Sequence, residues 1–238
     1  MTLRFLSPLP AAALAAALAA CAPTAPPSAS SPAAPAGSAE AEPAPPAPDS
    51  VALRLLVSVR EVDSTIRVES RYATPRNFTG APLPGYEAGT GRVLLRREAA
   101  AALGRVQARL RPGGLGLLVW DGYRPVRATE AMVAWAERTG RTRLLDDGYI
   151  ARRSRHNQGV AVDLTLVRLA DGGELDMGTP YDTFGPEAHT ANAEGAVRDA
   201  RRRLVEAMEA EGFRNYDQEW WHFSFAVEGA VPFDLVVR

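Results

Sequence analysis

Ser154-Arg155-His156-Asn157-Gln158-Gly159-Val160-Ala161-Val162-Asp163 is the stretch on which the reading of this chain turns. From Val160 to Val167 the sequence is rich in β-branched residues and is bounded by Gly159 and by Gly172-Gly173, which predicts a strand. His156 and Asp163 are seven positions apart, so on an unbroken strand they would face opposite sides of a sheet. Asn157-Gln158-Gly159 supplies a bend that turns His156 back over the strand carrying Asp163. On that strand Asp163 shares a face with Ala161 and Thr165, while Val160, Val162 and Leu164 pack the core. An aspartate in so apolar a run is costly to bury without a partner or a metal. The plainer alternative is a strand-end Asp in a salt bridge, with His156 in an exposed loop.

A second stretch, Glu219-Trp220-Trp221-His222, favours the metal. In a strand from Trp221 to Val227, Trp221, Phe223, Phe225 and Val227 form an apolar face, and His222, Ser224 and Ala226 a smaller, more polar one. His222 therefore points away from the aromatic core. Two His and one Asp are a full protein ligand set for a catalytic zinc, which keeps its fourth position open for water. His156, Asp163 and His222 are the candidate ligands for one Zn2+ per chain. Glu219, three residues before His222 and expected to curl to the same side, is the candidate to take a proton from that water. The chain has three His in 238 residues, and two of them fall in these segments. The third, His189, would close the site as a fourth ligand, so a supporting or surface role is expected.

Working outward, Leu53–Val59 and Thr65–Arg71 read as β-prone runs, and residues 77–91 as an ordered Gly/Pro-rich loop. Ala99, Leu103, Val106 and Leu110 form a helical stripe ended by Pro112-Gly113-Gly114. Leu115–Trp120 reads as a buried strand leading into Asp121-Gly122-Tyr123-Arg124-Pro125, with Pro125 opening a helix to about Arg138. Arg124, at a strand end, is either an ordinary surface Arg or a charged group placed for a developing oxyanion. Val197, Ala200, Leu204 and Met208 mark a further helix, with Gly212 as its left-handed terminal residue and Phe213 as its closing contact. Helices and strands alternate without regular βαβ repetition. The expected class is α+β: one domain with a mainly antiparallel central sheet flanked by helices, and the zinc site on the polar face of the sheet.

The ends and the composition bound the rest. Arg4 and the Ala/Leu run from Ala11 to Ala20 have the form of a signal peptide over residues 1–20. The run closes on Leu18-Ala19-Ala20-Cys21, which resembles a bacterial lipobox and makes Cys21 the expected lipidation site; an ordinary secretory signal with an incidental Cys is the alternative. Cys21 is the only Cys, so the mature domain has no disulfide and no thiolate nucleophile. Residues 21–50 are rich in Ala, Pro and Ser and read as a disordered or extended tether. The domain is then residues 51–238, a length expected of one domain. The net charge is -1, which suggests neither nucleic acid nor an anionic membrane face as partner. Lys is absent and every basic residue is Arg, so Arg clusters carry little functional weight.

At these residues the chain resembles the zinc D-alanyl-D-alanine dipeptidases of the vancomycin-resistance type. Tyr72-Ala73-Thr74 with Asn77-Phe78-Thr79-Gly80 and Gly85-Tyr86 is similar to that family's N-terminal signature. Asp121-Gly122-Tyr123-Arg124-Pro125 resembles its arginine motif, Met177-Gly178 with Tyr181-Asp182 its substrate loop, and the two metal segments its ligand motifs. The resemblance implies a zinc metallopeptidase that hydrolyses D-Ala-D-Ala in cell-wall peptide turnover. It makes His156, Asp163 and His222 the ligands, Glu219 the general base and acid, and Arg124 the transition-state stabiliser. Ser154, Tyr149 and Asp182 fall where the family has substrate contacts. With the lipobox, the expected setting is the cell envelope, facing the periplasm and joined to the membrane only through a lipid anchor at Cys21. The metal motif alone also fits D,D-carboxypeptidases or endopeptidases acting on peptidoglycan stem peptides. A non-catalytic zinc-bearing wall-binding lipoprotein is the alternative from another class.

Overall fold

The strand expected after Gly159 runs Ala161–Arg168 and lies in the middle of a five-stranded sheet. The computed structural model describes residues 45–238, so the expected signal peptide, Cys21 and residues 21–44 of the expected tether lie outside the described residues. In chain order the elements are α1 (Asp49–Leu55), β1 (Leu56–Ser58), α2 (Val59–Val62), β2 (Arg67–Val68), β3 (Leu94–Arg96) and α3 (Arg97–Leu110). Then come β4 (Leu115–Asp121), α4 (Val126–Arg138), α5 (Arg143–Asp146), β5 (Ala161–Arg168), α6 (Gly195–Glu209), β6 (Phe213–Tyr216) and β7 (Glu219–Phe225). The sheet order is β2-β4-β5-β7-β6, antiparallel except for β2 beside β4. β1 and β3 form a separate antiparallel pair. The α+β class and the mainly antiparallel central sheet are as expected.

Alternation along β5 sorts its residues. Val162, Leu164 and Leu166 enter the main core with Leu103 and Val106 of α3, Leu204 and Met208 of α6, and Phe223 of β7. Ala161, Asp163 and Thr165 take the other face, which is not solvated: Asp163 is 3% exposed and Thr165 1%. A third cluster joins Ala128, Met132 and Ala136 of α4 to Tyr72, Leu83 and Ile150. Beyond α6, Glu211 receives Arg105 and Arg109 of α3 at 2.7 and 2.6 Å, lashing the two core helices together.

Five local expectations change. Leu53–Val59 is not one strand: Ala52 to Leu55 continue α1, because Ala, Leu and Arg are strong helix formers and Asp49 complements the first turn. Of Thr65–Arg71, only Arg67–Val68 pairs. Phe213 does not simply close α6. Gly212 turns the chain at φ +92°, and Phe213 then opens β6, packing on Phe225 at 5.2 Å. β7 begins at Glu219, so this residue belongs to the strand. Ala47–Ser50, read with the tether, are tied down too. The Ala47 amide donates to Pro232 O at 2.9 Å, and Ala52 of α1 with Leu56 of β1 enters a cluster with Phe233 and Tyr123.

The bend ahead of β5 is a short 3-10 turn, Arg155–Gln158, ended by Gly159 at φ +68°. Ser154 and Asn157 cap it reciprocally, each side chain bonding the other's end of the turn. Gly159 is required on two grounds. Its φ lies in the left-handed region, and a Cβ there would stand 2.6 Å from Leu56 Cδ2 and 3.2 Å from Arg96 N.

Candidate active site

Three strands bring the site together. Cα pairing sets Asp121 of β4 opposite Asp163 of β5, and Asp163 opposite His222 of β7, so three polar residues form one row across the sheet. A register irregularity between Val119 and Asp121 re-aims the end of β4. The 3-10 turn then drops His156 onto this row. His156 Nε2 lies 3.2 Å from His222 Nδ1 and 3.4 Å from Asp163 Oδ1, and His222 Nδ1 lies 2.9 Å from Asp163 Oδ1.

These three separations test the metal reading. Ligands about 2.0–2.1 Å from a tetrahedral zinc are spaced about 3.3 Å apart along the tetrahedron's edges. The donor triangle of 2.9 to 3.4 Å therefore matches three of the four ligand positions of one tetrahedral zinc. The protonation pattern fits as well. His156 Nδ1 stands 2.7 Å from Gly122 O, which can only accept, so Nδ1 carries the proton and Nε2 presents its lone pair. That carbonyl is reachable because residue 122 is Gly: a Cβ would lie 2.5 Å from Leu94 O. Burial lowers the pKa of His222, against the hydrogen bond and charge of Asp163, and so favours the neutral imidazole a metal needs. Burial opposes the charge on Asp163, but His156 and then His222 outweigh it and hold the carboxyl well below the usual range. His156, Asp163 and His222 are the one such group of ligands among the described residues, and His189 is not in it.

Glu219 stands beside the triangle, its Oε2 3.8 Å from His222 Nδ1. On a regular strand Glu219 and His222 would face opposite ways. They share a side because β7 bulges: Tyr216 pairs with Glu219 while its neighbour Asn215 pairs with Phe223. Asn215 Nδ2 donates to the Glu219 and His222 carbonyls at 3.2 and 3.0 Å, satisfying groups the bulge takes out of the ladder. Burial, followed by the charges of Asp163 and Asp182, raises the Glu219 pKa well above its ordinary value.

Arg124 is buried, not a surface residue. Its Nε and Nη2 both donate to Asp121 Oδ2, at 3.0 and 2.8 Å, and its guanidinium lies over the Tyr72 ring at 4.8 Å. Burial opposes its charge, but Asp121 outweighs it and keeps the group protonated. With Glu219 and the donor triangle, Arg124 lines a cavity of about 290 Å³.

Ser154, Tyr149 and Asp182 line the same cavity. Ser154 Oγ also accepts from the His156 amide at 3.2 Å, so it helps set the ligand's position. Tyr149 OH meets His189 Nε2 at 3.0 Å, which gives His189 a supporting part behind the cavity wall. Asp182 is the unusual member. It is the one non-Gly residue with positive φ among those described, at 60°. Tyr72 OH donates to its Oδ1 at 2.9 Å, while Oδ2 is buried with no partner. Burial, and after it the Asp163 charge, pushes its pKa up to about 8. Tyr72, Asp121, Tyr181 and Asn215 were not singled out for the site from sequence. Tyr72, Asp121 and Tyr181 lie in the quoted motifs, but their contacts here are long-range or depend on the β4 irregularity.

Residues 53–234 match the peptidase M15 family model, described as D-Ala-D-Ala dipeptidase. A D-alanyl-D-alanine dipeptidase of Streptomyces coelicolor is 40% identical over 185 residues, 71% of this chain and 91% of that protein. One from Enterococcus faecium is 37% identical over 178 residues, 68% of this chain and 87% of that protein. A solved vancomycin-resistance D,D-dipeptidase in complex with a D-Ala-D-Ala phosphinate analogue is 20% identical and covers 74% of this chain and 68% of that one. Its TM-score is 0.34, too shallow a superposition to bear on the site. With a family match across most of the chain and relatives covered nearly end to end, this protein belongs to the M15 D-Ala-D-Ala dipeptidase family.

Proposed function

We propose that the chain is a zinc D-alanyl-D-alanine dipeptidase whose ligands are His156, Asp163 and His222. The observation that carries this is the donor triangle of tetrahedral spacing, with the Glu219 carboxyl 3.8 Å from His222, in one cavity with Arg124 and Asp182. Zinc, when bound, supplies Lewis acidity at the scissile carbonyl and acidifies the attacking water. Glu219 takes a proton from that water and returns it to the leaving amine. The raised proton affinity of this buried carboxyl suits a group that must first hold a proton and then release it. Arg124, fixed by Asp121, stabilises the negative charge that develops on the carbonyl oxygen. Asp182 receives the free ammonium of the dipeptide at its unpartnered Oδ2, with Tyr149 and Ser154 contributing to the cavity wall.

The test is a substrate series. The zinc-loaded protein is offered D-Ala-D-Ala, a pentapeptide ending in D-Ala-D-Ala, and intact wall fragments. Cleavage of the free dipeptide alone, abolished by a chelator and restored by zinc, is expected. Cleavage of the pentapeptide would move the assignment to a D,D-carboxypeptidase or endopeptidase, and binding without cleavage to a wall-binding protein.

The cellular setting rests on sequence alone. The lipobox-like Leu18–Cys21 and the Ala/Pro/Ser-rich segment after it support a periplasm-facing lipoprotein, anchored through Cys21, that turns over or scavenges wall dipeptide. Cys21→Ser is expected to shift the protein from the membrane to the soluble fraction. Unchanged membrane retention would rule out this anchor.

A further inference from the structure

Tyr181 lies where the metal row meets the segment that carries Asp182, and it does not line the substrate cavity. Its hydroxyl stands 2.8 Å from Asp163 Oδ2 and 3.1 Å from the Tyr72 hydroxyl, which itself donates to Asp182 Oδ1 at 2.9 Å. A hydroxyl has one proton to give, and the charged carboxylate is the stronger acceptor. Its ring is held in place, stacked on Trp120 at 4.7 Å and edge-on to Trp221 at 5.5 Å.

The two oxygens of Asp163 are thereby given different work. Oδ1 lies in the donor triangle, 2.9 Å from His222 Nδ1 and 3.4 Å from His156 Nε2. Oδ2 is turned out of it, toward Tyr181 and 3.9 Å from Arg124 Nη2. Among the described residues, Arg124 is the one cation paired with Oδ2, and its guanidinium is already engaged by Asp121 at 2.8 Å. The hydroxyl thus donates the one short hydrogen bond to Oδ2 among the described residues.

We infer that Tyr181 is a positioning residue for the metal-binding carboxylate: its hydroxyl orients Asp163 so that Oδ1 completes the zinc site. Partners of this kind fix a ligand's orientation, and losing one weakens metal binding by about 10–100-fold. The Tyr72 hydroxyl, 3.1 Å away, gives its own proton to Asp182, so the two hydroxyls serve the two carboxylates separately. The inference rests on the zinc reading above.

Three variants of the whole protein, each measured for zinc affinity by chelator competition and for kcat and KM, test it. Tyr181→Phe is expected to weaken zinc binding by about 10–100-fold, and at saturating zinc to lower kcat more than it raises KM. Tyr72→Phe, which releases Asp182 instead, is expected to raise KM while zinc affinity stays at the wild-type value. Trp120→Phe loosens the ring stacking but leaves the Tyr181 hydroxyl, and should also keep wild-type zinc affinity. An unchanged zinc affinity in Tyr181→Phe overturns the inference, as does an equal loss in Trp120→Phe, which would make the effect one of packing. If Tyr181→Phe does not fold, the same decision falls to Tyr181→Met, which also lacks the hydroxyl and is expected to weaken zinc binding by about the same 10–100-fold; a wild-type affinity there overturns the inference. Failure of the wild-type protein to take up zinc would instead strike the reading on which the inference stands.

Discussion

Glu219→Gln is expected to bind zinc as the wild type does and to lower kcat by about 10²–10⁴-fold, with little change in KM. The substitution keeps the shape and the burial but removes the basic oxygen. Glu219 is not in the donor group: its Oε2 stands 3.8 Å from His222 Nδ1, against 2.9 to 3.4 Å within the triangle. Metal uptake and proton transfer are therefore separable. An amide at this position also relieves a cost, because burial and the charges of Asp163 and Asp182 disfavour a carboxylate here. The variant should be at least as heat-stable as the wild type, so the lost turnover will not be confused with unfolding. Steady-state kinetics with zinc analysis of the dialysed protein checks this. Near-wild-type turnover would remove Glu219 from the mechanism, and loss of zinc would make it a ligand.

Much of this site was legible because its residue types are rare and its strands obey simple periodicities. Two of three His in the chain, an Asp within an apolar β-branched run and a Glu beside an aromatic pair are hard to accommodate in a fold that binds no metal. α3, α4, β4 and β5 were legible for the same reason: their stripes are long enough to outvote local noise. What stayed hidden depends on non-local pairing. β6 has four residues and only Phe213 is buried, so nothing in Phe213-Arg214-Asn215-Tyr216 marks a strand until β7 lies beside it. The β7 bulge depends on Asn215 reaching two carbonyls across the hairpin, and the Asp163 orientation on a hydroxyl 18 residues away. α1 was misread because Leu53–Val59 suits either a strand or a helix. Packing of Ala52 and Leu56 against Phe233, far along the chain, settles it as a helix to Leu55. The periodicity that located the candidate ligands could not say which oxygen of Asp163 would join the donor triangle.

Asp182→Asn should separate substrate recognition from stability, and in opposite directions. In the proposed complex the dipeptide ammonium meets the buried Oδ2 that otherwise has no partner. Truncating one side of a buried charge pair costs about 2–5 kcal/mol, or roughly 30- to 4,000-fold in kcat/KM at about 1.4 kcal/mol per tenfold. Most of it should fall on KM, since the ammonium is remote from the reacting carbonyl. N-acetyl-D-Ala-D-Ala has no ammonium to lose, so the variant's preference for the free dipeptide should shrink by the same factor. Stability runs the other way. The folded-state pKa of Asp182 is pushed up to about 8, chiefly by burial, above the value of about 3.9 for an unfolded Asp. A carboxyl shifted upward costs the fold nothing below about pH 3.9, where both states are protonated, and progressively more as pH rises toward about 8. Asn carries no such cost. In chelator-treated protein the melting temperature of Asp182→Asn should match the wild type near pH 4 and exceed it by a widening margin toward pH 8. The residue whose positive φ and orphaned oxygen make it costly to the empty fold is, on this view, the one that tells a free dipeptide from a longer peptide. A variant that keeps the wild-type KM and the wild-type preference over the acetylated substrate would show that Asp182 does not read the ammonium. A melting curve with no pH-dependent gain would show that its carboxylate is not under the strain its burial implies.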